Sequence, residues 1–136
     1  DPSVGDEATV VMITAGIDPA EAHGLVVKWA EGTLCALPHL VDGLELAHGP
    51  LQTLAGRRAL VLGLETEATA PLFDRVRAAL DPGLHRYLGL RAKLPAPAAL
   101  MEHDALLDAL LLARFAAQGL PPPGAVHDAP LYDLGA

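Results

Sequence analysis

Cysteine and serine are almost missing from this chain. Cys35 is the single cysteine, so no disulfide can form within the chain, as expected in a reducing compartment such as the cytosol. Cys35 stands where a helical pattern passes into an apolar run, which favours a buried structural thiol over a nucleophile. Ser3 is the only serine and lies near the start. The rest of the chain therefore lacks the nucleophile of a serine hydrolase.

Long apolar runs and targeting signals are also missing. No stretch of about eighteen apolar residues is free of charge, which argues against a membrane span. The opening DPSVGDEATVVMITAG has neither the basic start nor the small-residue cleavage site of a signal peptide. We therefore expect a cytoplasmic protein. The absence of an initiator Met suggests that the sequence is part of a longer one.

Positive charge is scarce. Nine Lys and Arg stand against seventeen Asp and Glu, for a net charge of −8. The basic residues are scattered, and only two Phe and two Tyr are available to stack on bases. A nucleic-acid partner is therefore not expected.

Motifs for common cofactors do not occur. Neither GxGxxG nor GxxxxGK[ST] is found, so a dinucleotide or nucleoside triphosphate is not supported. The six histidines show no HxH or HExxH spacing. We predict no metal and no organic cofactor.

What remains is a chain of 136 residues, 51% apolar, with enough material for the core of one domain. Strand-like runs alternate with helical periodicity. The predicted strands are Thr9–Gly16, an edge or irregular segment in CALPHLV around Pro38, Arg58–Glu65 and Leu84–Leu90. The predicted helices are Pro19 to about Leu34 with Asp18 as cap, a segment that Thr69 could cap, and ALMEHDALLDALLLARFAAQG, which ends at Gly119.

This alternation predicts an α/β fold, a three-layer sandwich around a four- to five-stranded, mostly parallel, flavodoxin-like sheet. We expect residues 1–136 to form one domain. Residues 1–8 would be a leader, and the proline-rich residues 120–136 an irregular tail that wraps this domain or a neighbouring subunit.

The candidate site residues lie between positions 26 and 50. Lys28 and Glu31 are three residues apart and share a helix face, either as a solvated ion pair or as the border of a cleft near Trp29. His48 follows Glu31 by seventeen residues and precedes Gly49-Pro50, which can end a helix and hold the imidazole in a fixed loop. Each residue alone is more often structural than catalytic.

Together, LVVKWAE and ELAHGPL resemble two motifs of the sugar isomerase (SIS) domain. The match is to the second SIS half of glutamine–fructose-6-phosphate aminotransferase and related phosphosugar isomerases. Lys28 and Glu31 match the family's K-x-x-E helix motif, and His48 matches its E-x-x-H-G-P segment. The gap between the motifs is one residue longer than is commonest. The later LLDALLLARFAAQGLPPP is similar to the family's closing helix.

The resemblance implies an SIS fold and an aldose–ketose isomerase. Glu31 would be the base that moves a proton between C1 and C2 of an open-chain sugar phosphate. His48 would assist ring opening at a neighbouring subunit's site, and Lys28 would be an electrostatic helper. The family needs no cofactor for this chemistry, and its members form dimers, so we expect a homodimer that binds fructose 6-phosphate or glucosamine 6-phosphate.

Some family features are missing. The Ser/Thr-rich loop that holds the phosphate belongs mainly to a first SIS half, which this chain does not contain. No lysine follows Lys93, so the tail lysine of the aminotransferases has no counterpart. We therefore keep three hypotheses: an isomerase or deaminase half that needs a first SIS half, a non-catalytic SIS module for phosphosugar binding or dimerisation, and a flavodoxin-like domain with an accidental match.

Overall fold

A computed structural model describes residues 9–33 and 37–119. These residues form a four-stranded sheet in which every neighbouring pair of strands is parallel, in the order β2-β1-β3-β4. The strands are β1 Val10–Thr14, β2 His39–Asp42, β3 Ala59–Thr66 and β4 His85–Ala92. The predicted leader, Cys35 and the predicted tail lie outside the described residues.

Helices cover both faces of the sheet. They are α1 Pro19–Thr33, α2 Gly43–Leu46, α3 Pro50–Thr53, α4 Ala70–Ala79 and α5 Ala99–Gln118. Buried side chains of α1 and α5 pack on one face together with Met12 and Leu62. Those of α4 and of the α2–α3 segment pack on the other face with Ile13 and Val61. The predicted α/β three-layer sandwich is confirmed.

The central strands are apolar because both of their faces are covered. All five residues of β1 and all eight of β3 are buried, which explains why their sequences are continuous apolar runs. The outer strand β2 begins after Pro38 and is only partly buried, as its proline predicted. The other outer strand, β4, continues two residues beyond the predicted end at Leu90, to Ala92.

Two of the three predicted helix ends have the expected geometry. The Asp18 carboxylate accepts a 2.8 Å hydrogen bond from the Ala20 amide, and Gly119 ends α5 with a φ of 65°. Thr69 occupies the N-cap position of α4, as predicted, but its side chain makes no capping bond there. Its hydroxyl accepts from the Thr66 amide instead, at 2.9 Å, and so closes the turn that leaves β3.

The chain changes direction between β1 and β3. From β1 it crosses one face through α1 to β2, and it then returns over the other face through α2 and α3 to β3. Ligands of open parallel sheets bind beside such a switch point, at the carboxyl ends of the strands. Within the described part of the chain, no helix has the length and apolar character that crossing a membrane requires.

Candidate functional site

Glu31 lies in the last turn of α1 with its side chain exposed. Because α1 connects the carboxyl end of β1 to the amino end of the parallel β2, this end of the helix lies beside the amino ends of the strands. Among the described residues, no hydrogen bond or ion pair engages the Glu31 carboxylate. It is accessible to a partner or a ligand from outside.

Lys28 is paired with α5 and not with Glu31. Its Nζ lies 2.5 Å from Asp104 Oδ1 and 3.1 Å from Asp108 Oδ1. Burial opposes the charge of Lys28, but the hydrogen bonds to the two aspartates prevail and raise its pKa. The neighbouring Trp29 and Val26 are buried in the core, whereas Val27 is 37% exposed. Lys28 therefore joins α1 to α5, and it does not form the solvated ion pair with Glu31 that was one of the two alternatives.

His48 lies in the exposed turn between α2 and α3, and its amide donates to the Glu45 carbonyl at 2.9 Å. Gly49 has a φ of 156°, which residues with a side chain rarely adopt, and Pro50 begins α3. The H-G-P sequence thus has a structural reason of its own. It turns the chain from α2 into α3 and leaves the imidazole facing solvent.

The fold does not bring Glu31 and His48 together within one chain. α1 packs on one face of the sheet, whereas Leu46 and Leu54, which flank His48, pack on the other. The sheet therefore separates the two predicted catalytic residues. Each is exposed, and each could complete a site only with groups from another chain or segment.

A buried carboxylate missed at the sequence level lies at the end of β3. Glu65 is 1% exposed. Its Oε1 accepts from Tyr87 Oη at 2.6 Å and from Arg77 Nη2 at 3.2 Å. Its Oε2 accepts from Arg91 Nε at 2.9 Å and Nη2 at 2.6 Å. These four donors occupy the acceptor positions of a carboxylate, so Glu65 has none left for a substrate proton. We call Glu65, Arg77, Tyr87 and Arg91 the Glu65 cluster.

The Glu65 cluster joins α4, β3 and β4 into one unit. The Arg77 guanidinium also lies 4.7 Å from the centroid of the Tyr87 ring. Burial, and then the hydrogen bond to Glu65, raises the pKa of Tyr87 well above its ordinary value, so its hydroxyl remains a donor. On the other face of the sheet, His103 Nε2 lies 2.9 Å from the Glu65 carbonyl oxygen. Burial lowers the pKa of His103, which favours a neutral ring.

An open concavity of about 410 Å³ adjoins this cluster at the carboxyl ends of β3 and β4. It is lined by Thr66, Glu67, Ala68, Lys93, Leu94 and Pro95. Its one acidic and one basic residue give it no net charge, and neither Glu31 nor His48 lines it. Among the described residues, no group of three His, Cys, Asp or Glu is placed to hold a metal ion.

Sequence reasoning had little chance of finding the Glu65 cluster. An acid at the end of a strand is ordinarily solvated, and the partners of Glu65 come from two other elements, α4 and β4. The only local signal was the pair of glycines in adjacent strands. A Cβ on Gly63 would overlap Tyr87 Oη, and a Cβ on Gly89 would overlap Glu65 Oε1. These glycines leave the space that the two polar side chains occupy.

Comparison with known proteins finds no matching family model and no similar curated protein. The SIS resemblance therefore depends on the two sequence motifs and on their compatibility with this α/β architecture.

Proposed function

We propose that this chain is an SIS-type domain acting on a hexose phosphate, as one half of a phosphosugar isomerase or aminosugar-phosphate deaminase/isomerase. Glu31 moves a proton between C1 and C2 of the open-chain sugar: it takes the proton from C1 of a ketose or from C2 of an aldose and returns it to the other carbon of the enediol, while a hydroxyl proton passes between O1 and O2. His48 donates a proton to the ring oxygen when the sugar ring opens. The two residues act in different sites, each completed by another chain or by a first SIS half.

One observation carries this proposal. Glu31 and His48, the residues of the two matched motifs, are both exposed, yet they belong to helical layers on opposite faces of the sheet. A motif pair that served only packing would have buried side chains. A pair serving one site within a single chain would lie on the same side of the sheet.

Lys28 enters the proposal as a positioning residue. Its contacts with Asp104 and Asp108 hold α1, which carries Glu31, against α5. We assign this role to Lys28 in place of the predicted electrostatic helper, because two carboxylates already neutralise its ammonium group.

Complementation between two inactive variants tests the proposal. Glu31→Gln and His48→Ala should each abolish conversion of fructose 6-phosphate or glucosamine 6-phosphate. A mixed dimer of the two variants has one intact site, so random exchange should restore roughly a quarter of the wild-type rate. Glu21→Gln and His39→Ala are matched controls, because both residues are also exposed, and they should retain the rate. A mixture that stays inactive, although the wild type is active, would contradict sites built from two chains.

A non-catalytic phosphosugar-binding module is the second candidate. It is favoured because the fold of one chain keeps Glu31 and His48 on opposite faces of the sheet. NMR titration with the same two sugar phosphates separates the candidates, since a module shows shifts without turnover. If neither this chain nor the complete gene product shows shifts or turnover, both candidates are wrong.

A further inference from the structure

The two outer edges of the sheet differ. β2 is four residues long and follows Pro38, whereas β4 is eight residues long and contains no proline. Its register with β3 continues without a bulge through all eight residue pairs, from His85 to Ala92. Within the described residues, no strand pairs with the outer side of β4. Long, regular edges of this kind are what natural sheets usually protect.

The direction of the backbone groups follows from one hydrogen bond. The Ala59 amide donates to the Leu84 carbonyl at 3.1 Å. In a parallel ladder the N–H and C=O of a residue point to the same side, and successive residues alternate. The even-numbered residues of β4 therefore bond to β3. Tyr87, Gly89 and Arg91 direct their N–H and C=O groups outward, away from the sheet.

The side chains of β4 leave this edge open. Gly89 is exposed and has no side chain to shield the backbone. The Arg91 guanidinium is bonded to Glu65 across the face of the sheet, so it is held back from the edge. The bonds to Glu65 thus draw the Arg91 side chain toward β3, and the backbone at Gly89 is exposed.

The edge is complementary to itself. In an antiparallel pair centred on Gly89, Tyr87 lies opposite the partner's Arg91, and Leu88 opposite the partner's Leu90. Arg86 lies opposite the partner's Ala92. No like charges lie directly opposite each other in this register, and the apolar residues meet on one face of the pair.

We propose that β4 pairs with β4 of a second copy of this chain about a two-fold axis at Gly89, which joins two four-stranded sheets into one of eight strands. The outward groups of Tyr87, Gly89 and Arg91 form about six hydrogen bonds between the chains. β2 and α1 lie toward the opposite edge, so this contact is separate from one that completes a site at Glu31 or His48. It does not depend on the proposed function.

Sedimentation equilibrium of the full chain, with Arg91→Ala and Arg91→Pro as a matched pair, tests the contact. Both variants remove the guanidinium, but only proline also removes the outward N–H that β3 does not use. The wild type should dimerise, and the dimer of the proline variant should dissociate at least about tenfold more readily than that of the alanine variant. A monomeric wild type, or equal dissociation of two folded variants, overturns the proposal.

Amide exchange is measured on the wild type, so it tests the contact without any substitution that could disturb folding. The N–H groups of Tyr87, Gly89 and Arg91 should exchange more slowly as protein concentration rises. A dimer that leaves these three amides unprotected overturns the proposal. In a Cys35→Ser background, spin labels at Lys93 should lie roughly 25–30 Å apart, the span of eight residues of strand. A dimer with a clearly different separation contradicts the register.

Discussion

Two ionic clusters in this molecule have the same arrangement of three charged groups, with the signs of the charges reversed. In the Glu65 cluster one anion lies between Arg77 and Arg91, and its side chain is 1% exposed. At the junction of α1 and α5 one cation, Lys28, lies between Asp104 and Asp108, and its side chain is 29% exposed. The distances are similar, so the difference between the clusters is mainly one of solvation.

That difference decides what each cluster contributes. A buried carboxylate loses its water and must have every acceptor position filled, as the four donors to Glu65 do. Lys28 and its aspartates remain in contact with water, which weakens the attraction between their charges. When one of their hydrogen bonds breaks, water can form a hydrogen bond in its place. Similar charges at similar distances should therefore give large effects in the first cluster and small effects in the second.

The largest effect is expected for Glu65→Ala. The change leaves the half-buried Tyr87 hydroxyl without its acceptor and opens a cavity, which should lower the free energy of unfolding by roughly 3 kcal/mol. Urea denaturation measures the loss. Asp108→Ala removes a carboxylate from the exposed cluster and is the matched comparison. Equal losses for the two variants would show that burial does not distinguish the clusters.

The next largest effect is expected for Gly89→Ala. The new Cβ would overlap Glu65 Oε1 and lie 2.9 Å from its Cδ, and the cluster holds that carboxylate in place. Overpacking of this kind costs about 1–3 kcal/mol. Gly24→Ala in α1 is the control, since nothing lies within 4 Å of its Cβ position. Helix propensity should make that variant more stable, by up to about 1 kcal/mol. A neutral Gly89→Ala would mean that the cluster is loosely held.

These contacts show which features could be predicted from sequence. Asp18 and Pro19 mark the start of α1, and apolar runs mark β1 and β3, because the signals are local and the core agrees with them. The β4 prediction stopped at Leu90 because Arg91 breaks the apolar pattern, although its charge is neutralised by Glu65 from another strand. Thr69 was correctly placed at the start of α4, but its hydroxyl does not cap the helix because a local turn uses it instead.

The candidate site divides in the same way. Motif spacing singled out Glu31 and His48, and the structure places both at the surface. The motif spacing could not show that the sheet lies between these two residues, since their separation depends on which face of the sheet each crossover connection takes. The short helices α2 and α3, each of four residues, carry too little periodicity to be recognised. The ion pairs of Lys28 with α5 join residues about eighty positions apart.

A pH effect is expected on the far side of the Glu65 cluster, at His103. Burial lowers its pKa in the folded state, so below about pH 6.5 the unfolded chain binds a proton that the folded chain does not. The stability of the wild type should therefore fall as pH decreases from 7 to 5, with a slope of up to about 1.4 kcal/mol per pH unit from this residue. His103→Gln should remove that part of the slope in unfolding curves measured across this range. A variant whose stability falls with the same slope as the wild type would show that His103 does not contribute to it.

The smallest effect is expected for Lys28→Met, and it sharpens the comparison most. The methionine keeps the aliphatic packing but leaves Asp104 and Asp108 without their cation, so the loss of stability should stay below about 1 kcal/mol at low salt. Because the groups are exposed, 1 M salt should reduce that loss further, whereas the loss caused by Glu65→Ala should change little. The pKa of Lys28 is raised, so its contribution is present at neutral pH and disappears as pH rises through the folded-state pKa. A loss that persists in high salt would show that the α1–α5 junction excludes water as the Glu65 cluster does.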